Sequence, residues 1–96
     1  MSLLVNATLN FWDSLMTGAK VTIDGVVHDY VTHETSYIQG NVLKKFVKLD
    51  TETGHITHAF IYDRQGRPMQ SKTMDIKKGE NGLMLVFLFE IEIKEG

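Results

Sequence analysis

The chain has no cysteine among its 96 residues. Disulfide scaffolds, thiol chemistry and cysteine-rich zinc sites are therefore excluded, and the compartment expected is the cytoplasm. Neither sign of charge is in excess: the formal net charge is −2. No global field draws the chain to nucleic acid or to an anionic membrane. Its longest apolar run falls well short of the ~20 residues that a membrane helix needs. The opening M-S-L-L-V carries no basic residue, so no signal peptide is expected. Internal repeats, low-complexity segments and linkers are also missing, and residues 1–96 read as one domain.

What is present is strand periodicity, clearest near the end, where Leu83 to Ile93 reads L-M-L-V-F-L-F-E-I-E-I. Leu83, Leu85, Phe87, Phe89, Ile91 and Ile93 form an unbroken apolar series. The alternate series is apolar at Met84, Val86 and Leu88 and charged at Glu90 and Glu92. Side chains alternate across a strand. One face is therefore expected to be buried throughout and the other over its first half only, which calls for a partial cover.

One helix is expected, over residues 6–17. Val5, Leu9, Trp12 and Met16 fall at helical spacing, with Phe11 and Leu15 widening the stripe. Asn6 or Thr8 is the candidate cap at its start, and Gly18 is placed as the left-handed residue after its end. Beyond Lys20 the period changes to two, and strands are expected over residues 20–24, 26–32, 42–49, 55–63, 69–76 and 83–94. Ser36 to Gln39 is a possible further short strand. Asp24-Gly25 between β-branched runs signals a two-residue hairpin, and Pro68 suits an edge or a strand start. Within 55–63, Ile56, His58, Phe60 and Tyr62 are assigned to one face and Thr57, Ala59 and Ile61 to the other. Short connections imply antiparallel neighbours. The fold class is α+β: one short N-terminal helix packed on a highly twisted antiparallel meander sheet, or on a small partly open β-barrel, of about six strands.

The chemistry-bearing residues form no familiar motif. Odd spacings put His28 and His33, and likewise His55 and His58, on opposite faces of extended strands. The helical zinc-protease pattern fails because position 37 is Tyr. A cross-strand site using His28 and His58 stays open. The polar loop from Thr32 to Asn41 offers His33, Glu34, Ser36 and Tyr37, but no base or oxyanion site accompanies Ser36. Lys44, Phe46 and Lys48 share a strand face, the arrangement closest to a cation–aromatic surface for single strands. Its plainer reading is a solvated face on which lysines guard an edge. Asp63 to Arg67 lacks the glycine spacing of a phosphate loop and reads as a hairpin tip.

The recognition candidates are thus His28, His33, Glu34, Tyr37, Lys44, Phe46, Lys48 and His58. Trp12, Met84, Val86 and Leu88 are the interface candidates, because apolar area beyond what a short helix hides marks an association surface. No metal and no cofactor is expected. The leading expectation is a small non-enzymatic interaction or assembly module that self-associates, with a dimer as the commonest closed form, or that meets a protein partner. The alternative is a β-barrel binding a small ligand, with Trp12, Tyr30, Tyr37, Phe60 and Tyr62 as wall residues, or binding single-stranded nucleic acid, which the net charge disfavours. Lowest stands an enzyme pairing His28 or His58 with Asp29, Glu34 or Tyr37.

Overall fold

A computed structural model describes residues 3–32 and 36–92. Among them an N-terminal helix precedes seven antiparallel strands in two open sheets, an α+β fold with no closed barrel. The helix α1 spans Leu3–Leu15 and runs without a loop into β1, Met16–Ile23. Next come β2 (Val26–Val31), β3 (Ser36–Gln39), β4 (Val42–Leu49), β5 (Gly54–Asp63), β6 (Pro68–Lys78) and β7 (Leu83–Glu90). The first sheet has the order β2-β1-β5-β6 and the second the order β3-β4-β7.

Local turn chemistry builds three of the antiparallel pairs. Asp24 and Gly25 both take positive φ, at 51° and 78°, as a type I′ turn requires, and so join β1 to β2. Gly40 (φ 61°) opens the turn that reverses β3 into β4. The β5–β6 turn is held by Asp63, whose carboxylate accepts the backbone N–H groups of Gln65 and Arg67. The pairs β1–β5 and β4–β7 are long-range, and they divide the strands between two sheets instead of one meander.

The place where a barrel would close is the seam between β6 and β7. These strands are consecutive, yet no backbone ladder joins them. Side chains cross instead: Gln70 Nε2 donates to the Leu88 carbonyl at 2.8 Å, and Lys72 Nζ donates to the Val86 carbonyl. The Lys72 ammonium also lies 5.2 Å from the centre of the Phe87 ring. Polar side chains of β6 thus meet two carbonyls of the β7 edge.

The core lies between the inner faces of the two sheets. It takes Ala19, Val21 and Ile23 from β1, Ile56, Ala59 and Ile61 from β5, Leu43, Val47 and Leu49 from β4, and Leu85 and Phe87 from β7. Val5 and Leu9 add the helix, with Met16 at its junction to β1. Of the widening residues, Phe11 is exposed. The expected caps do not act as caps: Thr8 donates back to the Leu4 carbonyl, and Asn10 reaches back to Asn6. Gly18 does not end the helix. It lies inside β1, where glycine leaves room for Tyr62: a Cβ there would stand 2.3 Å from the Tyr62 hydroxyl.

One expected face assignment is corrected. His58, Phe60 and Tyr62 do share a face, with neighbouring rings 5.9 and 6.2 Å apart. Ile56 is instead buried with Ala59 and Ile61. The cause is a bulge against β1: His58 pairs with Thr22 and Ile56 with Ile23, so β5 advances two residues where β1 advances one. Such a bulge reverses the alternation of every side chain beyond it.

Candidate functional site

The residues most suited to recognition converge on the outer face of the second sheet. In β4 the inner series is Leu43, Lys45, Val47 and Leu49, so Val42, Lys44, Phe46 and Lys48 face outward. Register carries that face across to β7, pairing Lys44 with Leu88, Phe46 with Val86 and Lys48 with Met84. On the other side Tyr37 lies opposite Lys44. Four recognition candidates and three interface candidates from the sequence are therefore one surface. Tyr37, Met84 and Leu88 are 53, 48 and 50% exposed. The helix does not cover this face; it packs against β1, β3 and β4 on the inner side.

The cover stays inside because of a buried charge. Lys45 carries inner-face parity and is fully buried opposite Phe87. Its ammonium reaches Asp13 Oδ1 at 2.6 Å, and the other carboxylate oxygen of Asp13 accepts Ser36 Oγ at 2.9 Å. Arg64 Nη2 meets the Ser14 carbonyl at 3.1 Å. Two cations thus meet the C-terminal end of the helix, where its dipole is negative. This clamp ties α1 to β3, β4 and the β5–β6 turn.

The remaining candidates lie elsewhere. His28 pairs with Val21 and shares the inner side of the first sheet, whereas His58 pairs with Thr22 on the outer side. A joint site for the two is therefore ruled out by the sheet itself. His33 and Glu34 lie outside the described residues. Among the described residues no three metal-ligating side chains come together. Trp12 is half-buried, on the helix and away from Met84, Val86 and Leu88. The aromatic wall residues do not gather either. Tyr30 is on the inner side of β2, Tyr37 on the outer face of the second sheet, and Phe60 and Tyr62 on the outer face of the first.

Several contacts escaped the sequence reading. Tyr30 Oη donates to Glu52 at 2.5 Å. Burial and this carboxylate push the phenol well above its usual range, and the same bond holds Glu52 below the ordinary glutamate range. Hydrogen bonds from the Arg67 backbone and guanidinium keep Asp63 low as well, against the desolvation that would raise it. Lys78 is buried, with Nζ donating to the carbonyls of Asp50, Glu52 and Gly79. His55 Nε2 pairs with Asp75 on the exposed side of β5 and β6. This surface pair adds little to stability. None of these carried a signal in the sequence; for the Lys45–Asp13 pair, only the inner-face parity of Lys45 within its strand did.

The arrangement suits recognition: a shallow apolar column on β7 beside a lysine–phenylalanine–lysine column on β4. Comparison with protein-family models, with curated proteins and with solved structures finds no match to this chain.

Proposed function

We propose that this protein is a non-enzymatic association module that pairs with a second copy of itself through the outer face of the second sheet. The supporting observation is that Met84 and Leu88, each about half exposed, continue a β7 column that the chain's own helix leaves uncovered. A two-fold axis parallel to the strands would lay each β4 column over the partner's β7 column. The stems of Lys44 and Lys48 then pack on Leu88 and Met84 while their ammonium groups reach water. An axis across the strands would oppose lysine with lysine and is disfavoured.

The footprint is modest. Strand and residue spacings give roughly 400 Å² per copy, below the ~1,000 Å² total of a stable interface. The dimer is therefore expected to be reversible. Light scattering over a hundred-fold concentration range tests this. The apparent mass should rise from 10.9 kDa toward twice that value, and Leu88→Asp should hold it at the lower limit. A mass that stays monomeric throughout rejects self-association.

A second reading, single-stranded nucleic acid, draws on Tyr37 standing beside Lys44, with Phe46 next in the column. Stacking between cations is how such strands are held. An affinity that does not fall as salt rises would exclude a phosphate-driven mode.

A further inference from the structure

Where α1 passes the end of β7, the chain forms an open pocket of about 350 Å³. One wall is the helix, through Leu4, Val5, Thr8 and Trp12; the other is Glu90, Ile91 and Glu92. The walls are mostly apolar, and the charged groups are two carboxylates. Among the described residues neither Glu90 nor Glu92 has a salt-bridge partner. Asn41 donates instead to the Ile91 carbonyl at 2.8 Å, with Glu90 Oε1 only at 3.5 Å.

We propose that this pocket is a binding site for a small organic cation: an aliphatic ammonium whose tail enters between Val5 and Ile91 and whose charge rests among Trp12, Glu90 and Glu92. Three features of the chemistry agree. The volume sits at the lower end of the ~300–1,000 Å³ that accommodates small ligands. An indole face attracts a cation through its quadrupole. Two exposed carboxylates beside apolar walls, without a salt-bridge partner among the described residues, favour a positive guest and repel a negative one. A carboxylic acid of the same length would meet the same apolar walls and the opposite electrostatics. Trp12, offered by the sequence both to an association surface and to a pocket wall, takes the second role in this proposal.

The chain has a single tryptophan, so Trp12 reports on its own pocket. The test is a fluorescence titration with octylammonium, octanol and octanoate below their micellar concentrations. Octylammonium is expected to give a saturable change at about ten-fold lower concentration than octanol, with octanoate weaker still, from the cation–π contact and two partly exposed ion pairs. In the double variant Glu90→Gln/Glu92→Gln, the ammonium and the alcohol should bind alike. Both glutamates are exposed, so this variant keeps its fold, which far-ultraviolet circular dichroism verifies. Equal binding of all three probes to the unaltered chain would mean a generic apolar groove and overturn the proposal. Absence of any saturable change would overturn it too.

Discussion

The fully buried ammonium of Lys45 and the carboxylate of Asp13 stand 2.6 Å apart, joining the inner face of β4 to the last turn of α1. The two partners are not equivalent, because the Asp13 side chain keeps about a quarter of its surface in water. Asp13→Asn leaves a buried cation without a counter-charge and should cost about 2–3 kcal/mol, below the ~3–5 of a fully buried pair. Lys45→Met removes the buried charge while preserving volume and should cost only about 1 kcal/mol. Urea denaturation of both variants measures the difference, and a larger loss for Lys45→Met would contradict this account.

Gly18 allows the Tyr62 ring to lie on β1. Adding a methyl at position 18 must displace that ring, whose hydroxyl would stand 2.3 Å from the new carbon. The Lys20 ammonium, 5.5 Å from the Tyr62 ring centre, then loses that ring contact and keeps its ion pair with Asp29. Gly18→Ala is expected to destabilise by about 1–2 kcal/mol, an overpacking cost. In a Tyr62→Ala background the same change should be nearly neutral. A double-mutant cycle reads the coupling, expected at about 1–2 kcal/mol in magnitude.

Stability should fall at both ends of the pH scale, for different groups. Glu52 and Asp63 titrate below their ordinary ranges. Their contribution is therefore complete above about pH 4–5 and is lost as pH drops through their folded values. Tyr30 is shifted upward, so its contribution holds below about pH 10 and disappears as the solution becomes more alkaline. Tyr30→Phe should flatten the alkaline limb and weaken the acid limb, leaving the part due to Asp63. Denaturation midpoints across the pH range check this; an unchanged alkaline limb would count against the Tyr30–Glu52 bond.

Adjacent residues of β7 should respond oppositely. Leu88 points outward and is half exposed, whereas Phe87 is fully buried. Leu88→Asp is expected to stay within about 1 kcal/mol of the parent, as surface changes do. Phe87→Ala should cost about 3–5 kcal/mol through lost burial and a cavity. Thermal melts of the two variants compare them directly, and a core-sized loss for Leu88→Asp would mean that its face is covered within the monomer.

Much of the fold was legible in the sequence because its signals are local. Asp24-Gly25 specifies a hairpin through positive φ alone, and the alternation of Leu83 to Phe89 assigns faces without reference to a partner strand. The common face of Lys44, Phe46 and Lys48 follows from parity in the same way. Parity fails only where register shifts, as at Ile56 to His58, because a bulge is set by pairing with the neighbouring strand.

By itself, then, the sequence determined an N-terminal helix, antiparallel strands, their tight turns and the two faces of most strands, since each depends on residues a few positions apart. Only tertiary structure decided that β4 and β7 pair and bring Tyr37, Lys44, Phe46 and Leu88 onto one surface. It also decided that Lys45 is clamped by Asp13 inside, and that Trp12 meets Glu90 and Glu92 at a pocket. The β4–β7 pairing, the Asp13–Lys45 clamp and the approach of Trp12 to Glu90 and Glu92 join residues from 32 to 80 positions apart in the chain. They depend on which edges find partners and on where a docked helix can satisfy a buried charge, and neither is encoded in the period of any one segment.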